Sequence, residues 1–382
     1  MNFKTLGVSD DLIQVLKKSG ITSPTPIQEQ CYPLIKNYKD VIAQAQTGTG
    51  KTLAFLLPLF ENISPDIEAT QALIITPTRE LALQITEEAN QLAKGKAINV
   101  LAAYGGRNIR NINVLAAYGG RNIGSQLNKL KKSIHLIIAT PGRLIDHLER
   151  QTITLDKVKS VVIDEADQML LMGFRNEVDQ ILRATPRNRQ TLCFSATMAP
   201  NVKRLAYRYS YDPTMITIEA KKVAVESIKQ ELVETTDRWK ADALCQVLEE
   251  DNPFLAIIFC RTKRRADQLF AKMKQRGFNT QVIHSDIAQN KRERILKSFR
   301  EADLQYLIAT DVASRGLDIS GVTHIYNYDI PETPETYIHR IGRTGRAGEE
   351  GYTCLFVAPK DDFELNAIER KLRFNIPRRH LK

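Results

Sequence analysis

The chain has 382 residues, which is too long for one ordinary domain, and two domains fit this length best. Hydrophobic residues make up 43% of it and charged residues 26%, which excludes a generally disordered chain, and no apolar stretch approaches the roughly 20 residues needed to cross a bilayer. The net charge of +10 favours a polyanionic partner, although solvated lysines account for the charge of many basic proteins.

Short apolar runs alternate with helical patterns from one end of the chain to the other. The predicted strands are Asp40–Ala43, Ala72–Ile75, His135–Ala139, Val161–Ile163, Leu192–Phe194, Ala256–Phe259, Thr280–Ile283 and Tyr306–Ala309. Runs that are apolar on both faces suit parallel strands covered by helices on both sides. We therefore predict an α/β fold of two domains, residues 1–218 and 229–382, joined by a linker at residues 219–228.

The first motif with chemical content directly follows the first predicted strand. Residues 45–52 read Ala-Gln-Thr-Gly-Thr-Gly-Lys-Thr and precede a helical run. This context predicts a P-loop, in which Lys51 reaches the β- and γ-phosphates of a nucleotide and Thr52 holds Mg²⁺. The backbone N–H groups that cradle the phosphates belong to Gln46, Thr47, Gly48, Thr49 and Gly50. A plain turn rich in Gly and Thr is the alternative, and the flanking strand and helix argue against it.

One stretch of the first half is duplicated. The sequence INVLAAYGGRNI occurs at residues 98–109 and again at residues 112–123. Two copies are too few to stack into a repeat fold with its own core. We expect one copy to fill a strand position and the other to loop out, and the sequence does not distinguish the two.

The strand Val161–Ile163 ends in three acids, at Asp164, Glu165 and Asp167. Acids at a buried strand end are costly unless they are paired or bind a cation. Beside a P-loop, Asp164 is placed to bind Mg²⁺ through water and Glu165 to orient or deprotonate the attacking water. In isolation the same residues would be an acidic loop that begins a helix.

A second group of charged residues lies far along the chain, where residues 339–346 read His-Arg-Ile-Gly-Arg-Thr-Gly-Arg. Arg343 and Arg346 can reach a γ-phosphate and stabilise the charge of the transition state. This role makes chemical sense only if the second domain closes onto the first. Taken alone, the motif would be an ordinary basic patch.

The start of the chain and its cysteines bear on location. Residues 1–4 lack the apolar core of a secretion signal. The five cysteines are widely spread and form no Cys-x-x-Cys pair, which predicts reduced thiols and argues against disulfides or zinc. The sequence thus predicts a cytoplasmic protein without a membrane anchor.

These segments, in this order, resemble the DEAD-box RNA helicases, from Phe3 to about Val357. The resemblance implies two tandem RecA-like domains, each a mostly parallel sheet covered by helices on both faces. Residues 20–28 look like the Q motif, in which Gln28 pairs with the adenine edge, and Phe3 resembles the upstream aromatic that stacks on the base.

Two further segments resemble parts of the family that connect nucleotide and RNA. Ser195 and Thr197 match a motif that couples hydrolysis to strand separation through hydrogen bonds near Asp167. In the second domain, residues 310–318 match a segment whose Asp318 contacts the ribose. In that segment Arg315 and Gly316 meet the first domain.

The resemblance also implies a set of RNA contacts made by arginines, hydroxyls and glycine N–H groups. These donors suit phosphates and 2′-hydroxyls rather than base edges, so binding is expected to be independent of sequence. The expected contacts are Arg79, Gly119 and Gly120 (or their copies Gly105 and Gly106), Thr140, Arg143, Arg261, Gln289, Arg292 and Thr310.

The chain ends in a basic segment with one aromatic residue, at residues 370–382. Added nonspecific affinity for RNA is one interpretation of this segment. A solvated helix end followed by a frayed tail is the other.

The function that these residues predict is an ATP-dependent RNA helicase that uses ATP and Mg²⁺. RNA-stimulated hydrolysis would drive local, non-processive separation of short duplexes by a monomer. An ATP-gated RNA clamp with little unwinding would use the same motifs and remains an alternative. A DNA translocase shares the P-loop and the acids, but the Q motif and the segments at residues 77–82 and 140–143 argue against it. The sequence does not identify the RNA target or protein partners.

Overall fold

The computed structural model forms two compact units, Met1–Glu219 and Ala220–Lys382. The predicted linker lies outside the described residues except for Ile228, and its boundaries stay a prediction. The residues that the structure describes are 2–46, 48–94, 98–104, 115–117, 134–218, 228–314, 321–345 and 351–381.

The first unit is an eight-stranded sheet with helices. Its strands are β1 Val41–Gln44, β2 Ala72–Ile75, β3 Val100–Ala103, β4 Leu115–Ala117, β5 Leu136–Ala139, β6 Ser160–Ile163, β7 Gln190–Ser195 and β8 Thr214–Thr217. Its helices are α1 Phe3–Leu6, α2 Asp10–Lys18, α3 Pro26–Lys36, α4 Lys51–Asn62, α5 Arg79–Ala93, α6 Pro141–Glu149, α7 Ala166–Leu171, α8 Arg175–Arg183 and α9 Pro200–Tyr209.

The strands of this sheet are parallel and follow the order β4-β3-β5-β2-β6-β7-β1-β8. Successive residues of β2 point to opposite faces: Ala72 and Ile74 join one apolar cluster, while Leu73 and Ile75 join the other. Because both faces are buried under helices, the strand is apolar throughout. The predicted strands of this half and their parallel arrangement are confirmed.

Both copies of the duplicated sequence lie in the sheet. The first copy forms β3 and pairs with β5, and the second forms β4 and pairs with β3. Leu101 lies opposite Leu115, so each residue is paired with its own duplicate 14 positions later. The expectation that one copy loops out was therefore wrong, because an edge strand satisfies backbone hydrogen bonds that a loop would leave to water.

The second unit is a six-stranded parallel sheet in the order β11-β12-β10-β13-β14-β9. Its strands are β9 Ile228–Glu234, β10 Ala256–Cys260, β11 Thr280–Ile283, β12 Tyr306–Thr310, β13 His324–Asn327 and β14 Gly351–Val357. Its helices are α10 Lys240–Asp251, α11 Lys263–Gln275, α12 Gln289–Arg300, α13 Asp311–Ser314, α14 Pro334–Ile341 and α15 Asp362–Leu372.

The basic end of the chain packs along the edge strand β9. The backbone N–H of Leu232 donates to the carbonyl of Pro377 at 2.8 Å, and the N–H of Arg379 donates to the carbonyl of Leu232 at 2.7 Å. The Arg379 guanidinium reaches Asp251 at 2.7 Å and Glu250 at 2.6 Å. The interpretation of this segment as a frayed tail was thus wrong. The segment covers the edge strand β9, which protects that strand from pairing with other chains.

Each of the five cysteines is a buried free thiol. Burial raises the pKa of the Cys31 and Cys193 thiols to about 12, so both stay protonated and act as core residues. Within the described ranges no helix is both long and apolar enough to cross a membrane.

Candidate nucleotide and RNA sites

The predicted P-loop joins β1 to α4 at the carboxyl end of the first sheet. Gly48 and Gly50 have positive φ angles of 82° and 88°, which explains why glycine stands at both positions. Lys51 is buried, and its Nζ donates to the carbonyl of Ala45 at 2.7 Å. The lysine therefore lies over the loop's own backbone. Thr52 is partly exposed in the first turn of α4, and Thr47 lies outside the described residues.

Gln28 connects the segment that resembles the Q motif to the P-loop. Its Oε1 accepts a hydrogen bond from the backbone N–H of Thr25 at 3.0 Å, and its Nε2 donates to the carbonyl of Gly50 at 3.0 Å. An amide group has two hydrogens and two lone pairs, so each end of the side chain keeps capacity for one more hydrogen bond. Gln28 is thus positioned at the loop with only 2% of its side chain exposed, and its contact with adenine stays a prediction.

This arrangement predicts unequal effects of alanine at the two P-loop glycines. A Cβ at Gly50 would lie 2.5 Å from Nε2 of Gln28 and 2.9 Å from Oγ1 of Thr25, whereas a Cβ at Gly48 would meet nothing within 4 Å. Both substitutions strain a positive φ, by roughly 1–2 kcal/mol. We expect Gly50→Ala to weaken binding of a fluorescent ATP analogue at least tenfold more than Gly48→Ala. Equal losses would contradict a role for the Gln28 contact.

Phe3, which the sequence predicts to stack on the base, lies in the apolar core of the first unit. Its side chain is only 3% exposed and belongs to the apolar cluster that also contains Leu12 and Tyr32. In this structure Phe3 thus contributes to the apolar core, and the predicted stacking of Phe3 on adenine stays a prediction.

The acids that follow β6 lie two strands from the P-loop, because β7 separates β6 from β1. Asp164 is fully buried, and its Oδ1 accepts a hydrogen bond from the N–H of Glu165 at 3.0 Å. The pKa of the Asp164 carboxyl is raised to about 7, chiefly by burial, with Lys51 opposing the rise and Glu165 and Asp167 contributing to it. Glu165 adopts a left-handed conformation, with φ 51° and ψ 49°, where α7 begins. Such strain in a non-glycine residue is typical of functional sites.

Asp167 is held by the end of β7 in the way that the family resemblance implies. Its Oδ2 accepts hydrogen bonds from Oγ1 of Thr197 at 2.9 Å and from the N–H of Thr197 at 3.1 Å. Its own N–H donates to Oγ of Ser195 at 3.3 Å, and that hydroxyl donates to the carbonyl of Thr197 at 2.7 Å. The three residues therefore form one network beside the nucleotide site.

The predicted RNA contacts of the first unit lie at the carboxyl ends of two adjacent strands. Arg79 follows β2 and packs over Tyr104, with its guanidinium carbon 4.6 Å from the ring centroid. Thr140 and Arg143 follow β5, at the start of α6, where Arg143 lies 3.3 Å from Asp146. The glycine pairs, Gly105 with Gly106 and Gly119 with Gly120, lie outside the described residues.

The predicted RNA contacts of the second unit are also grouped at the ends of adjacent strands. Arg261 follows β10 and donates to the carbonyl of Ile330 at 3.0 Å, while Thr310 ends the neighbouring strand β12. Gln289 begins α12, and Arg292, one turn later, donates to the carbonyl of Ala313 at 2.5 Å. Arg292 thus lies beside the helix that directly follows Thr310.

Arg340 is an important residue that sequence reasoning did not single out. It is 2% exposed, and its guanidinium makes two hydrogen bonds to Asp311, at 2.6 and 2.7 Å. It also donates to Oδ1 of Asn327 at 3.1 Å and to the carbonyl of Asp329 at 2.7 Å. The only sequence signal was its place three residues before Arg343.

Arg343 itself is buried in the turn after α14, where its N–H donates to the carbonyl of Arg340 at 3.1 Å. The turn that carries Arg343 thus continues directly from the helix end that the Arg340 side chain anchors. Four other predicted residues of the second unit lie outside the described ranges, and their roles stay predictions: Arg315, Gly316, Asp318 and Arg346.

A P-loop with an acidic strand end in one parallel sheet, and a second parallel sheet bearing arginines, define a nucleoside triphosphatase with tandem RecA-like domains. The DEAD/DEAH box helicase profile matches residues 25–205, and the helicase conserved C-terminal domain profile matches residues 239–348. The chain is 46% identical over 373 residues to the ATP-dependent RNA helicase CshA of Limosilactobacillus reuteri, covering 98% of this chain and 72% of that protein. It is 45% identical over 378 residues to the DEAD-box ATP-dependent RNA helicase CshA of Bacillus subtilis, covering 99% and 74%.

Solved structures agree with this assignment. Dbp5 of S. cerevisiae bound to RNA and ADP BeF3 aligns with a TM-score of 0.87 at 31% identity, covering 99% of this chain and 95% of that chain. Mss116p bound to ssRNA and AMP-PNP aligns with a TM-score of 0.84 at 29% identity, covering 99% and 78%. The chain therefore belongs to the DEAD-box family of ATP-dependent RNA helicases, which are ATP-hydrolysing enzymes.

Proposed function

We propose that this chain hydrolyses ATP when single-stranded RNA is bound and uses the cycle to separate short RNA duplexes locally. The observation that carries the proposal is the network joining Asp167, Ser195 and Thr197, because it connects the acids beside the P-loop to the end of a neighbouring strand. A change at the nucleotide can thereby reach the surface that carries the predicted RNA contacts.

The roles of the nucleotide-site residues follow from their positions. In a nucleotide-bound state, Lys51 would exchange the carbonyl of Ala45 for the β- and γ-phosphates. Glu165, held at the start of α7, would orient the attacking water. Arg343 and Arg346 would stabilise the charge of the transition state when the second domain closes onto the first. The Gln28 amide would recognise adenine.

The residues present fit a magnesium ion. Mg²⁺ prefers hard oxygen ligands in a near-octahedral arrangement, and Thr52 and Asp164 supply a hydroxyl and a buried carboxylate. Within the described ranges, no group of three His, Cys, Asp or Glu side chains could hold a metal ion, so phosphate oxygens and water would complete the ligands. When bound, Mg²⁺ would neutralise charge on the phosphates.

The proposed RNA surface would contact the sugar–phosphate backbone of the RNA strand. Arg79, Thr140 and Arg143 in the first unit offer donors, as do Arg261 and the other residues of the second unit described above. Such donors suit phosphates and 2′-hydroxyls, so target choice by this chain should be independent of sequence. We further propose a monomer in the cytoplasm: all the catalytic motifs lie in one chain, and the buried free thiols suit a reducing compartment.

The test of this function is ATP hydrolysis with and without single-stranded RNA. We expect strong stimulation by RNA and none by DNA of the same sequence. A second chain that lacks residues 98–111 retains one copy of the duplicated sequence and serves as a control. Stimulation confined to the shortened chain would show that the second copy obstructs the RNA site. Absence of stimulation in both would contradict the proposal, and stimulation without strand separation would favour a clamp.

Removing one hydroxyl from the Asp167 network should separate hydrolysis from unwinding. Thr197→Val keeps the shape of the side chain but loses the 2.9 Å hydrogen bond to Asp167. We expect RNA-stimulated hydrolysis to stay within about threefold of the parent, while duplex separation falls at least tenfold. Thr191→Val is the matched control, because this threonine lies in β7, the strand that leads to Thr197, and bonds the carbonyl of Tyr209 instead. A parallel loss of both activities in Thr197→Val would argue against a coupling role.

A further inference from the structure

Trp239 is the only tryptophan of the chain, and 59% of its side chain is exposed. It lies in the turn between β9 and α10, where its N–H donates to the carbonyl of Thr236 at 3.0 Å. The guanidinium carbon of Arg238 lies 5.7 Å from the centroid of its ring. Single exposed apolar side chains are common, so exposure alone does not indicate a site. The residues that surround this ring, however, do indicate a binding site.

The turn that carries Trp239 lies on the same side of the sheet as Arg261, namely at the carboxyl ends of the strands. Strands β9 and β10 run in the same direction, and both residues follow the end of a strand. Charged contacts connect the two. Asp237 lies 3.4 Å from Arg265, and Arg265 lies 2.6 Å from Asp329. Asp329 in turn accepts the N–H of Arg261 at 2.9 Å. Trp239 is therefore continuous with the RNA surface proposed for the second unit.

The charge of this edge suits a polyanion. The first turn of α11 contains Lys263, Arg264 and Arg265 and no acidic residue, although cations are unfavourable near the positive end of a helix dipole. Lys360 adds an exposed ammonium group beside Asp237. These cations are partly balanced, since Lys263 lies 2.6 Å from Asp286 and Asp237 pairs with both Arg265 and Lys360. A phosphate backbone that passes over this edge would compete with these carboxylates for the cations.

We propose that Trp239 stacks on a base of single-stranded RNA and extends the binding surface beyond Arg261. This inference rests on the proposed function, since it requires RNA at the carboxyl edge of the second sheet. Every base has an aromatic face, so such a platform binds without sequence preference. The Arg238 guanidinium beside the ring would contact the adjoining phosphate.

Because Trp239 is the only tryptophan in the sequence, the tryptophan fluorescence of the protein reports on this position alone. The whole chain with ADP–beryllium fluoride is titrated with a uridine dodecamer while tryptophan emission is recorded. RNA binding is followed separately through the anisotropy of a labelled copy. We expect emission to fall by at least half, with the same midpoint as the anisotropy change. Saturated binding with unchanged emission would overturn the proposal.

Substitutions then test whether the stacking contributes to affinity. We expect Trp239→Ala to weaken RNA binding about 5- to 150-fold, as aromatic truncations at stacking sites do, and Trp239→Phe to restore most of it. Phe254→Ala is the control, because Phe254 is 66% exposed but precedes β10, at the opposite edge of the sheet. Its affinity should match that of the parent.

The outcomes separate this inference from the proposed function. Normal RNA-stimulated hydrolysis with unchanged affinity in Trp239→Ala would refute the stacking role alone and leave the ring to a protein partner. Loss of RNA stimulation in the parent chain would refute the proposed function, and the stacking role with it.

Discussion

Replacing Glu165 by glutamine is expected to lower RNA-stimulated ATP hydrolysis about 10²- to 10⁴-fold, the range typical of a lost general base. Glutamine keeps the shape of the side chain but cannot accept the proton of the attacking water. Because Lys51 and Gln28 are untouched, binding of ATP and RNA should persist. The measurement is steady-state hydrolysis with saturating RNA, together with RNA affinity in the presence of ATP.

Two further variants are needed to interpret the result for Glu165→Gln. Glu87→Gln changes an exposed glutamate on α5 and should hydrolyse ATP at the parent rate. Lys51→Ala should fail at the earlier step, because it removes the group that reaches the phosphates. Normal turnover in Glu165→Gln would mean that another residue orients the water.

Replacing Arg340 by alanine is expected to destabilise the second unit by about 3 kcal/mol, because it leaves two buried acceptors and one partly buried carboxylate without their donor. Those partners are Asp311, Asn327 and the carbonyl of Asp329. Hydrogen–deuterium exchange of β12 and β13 in the whole chain would report the loss locally. RNA-stimulated hydrolysis should fall as well, since the Arg340 side chain anchors the end of α14, from which the turn that carries Arg343 continues.

Arg340→Lys tests whether the planar fork is needed. Lysine keeps the positive charge but cannot make the paired hydrogen bonds to Asp311, so we expect only partial recovery. Arg294→Ala, at an exposed position on α12, is the control and should change stability by less than about 0.5 kcal/mol. Unchanged exchange of β12 in Arg340→Ala would contradict the assigned packing role.

The strands that the sequence predicts correctly are those buried on both faces. Residues 72–75 and 306–309, for example, are apolar at every position, so their pattern needs no knowledge of neighbours. Edge strand β9 was not identified, because Ile228–Glu234 alternates buried and exposed residues. Strand β13 was missed because it ends in Asn327, a buried amide that bonds to Arg340 and Thr353. Such polar burial is visible only when the partners are in place.

The residues of the candidate site also fall into two groups, those that the sequence predicts and those that depend on tertiary contacts. Lys51 and the acids after β6 were predictable because a strand, a loop and a helix in sequence already determine where a phosphate can bind. The packing of Phe3 and the network around Arg340 depend on contacts between distant segments. The position of the basic tail depends on two acids at the end of α10, and no property of the tail itself indicates them.

Because the copies in β3 and β4 have identical sequences, either of them could fill the same strand of the first sheet. Exchanging the two copies would give the inner position the same side chains, while the connection from α5 would lengthen by 14 residues and the connection to β5 would shorten by 14. Ordinarily a slip in register moves apolar residues to the wrong face, which penalises it strongly. Here a shift of 14 residues carries no such penalty at the inner strand. Either copy can therefore supply the side chains of the inner strand, and the connections that flank the duplication determine which copy occupies it.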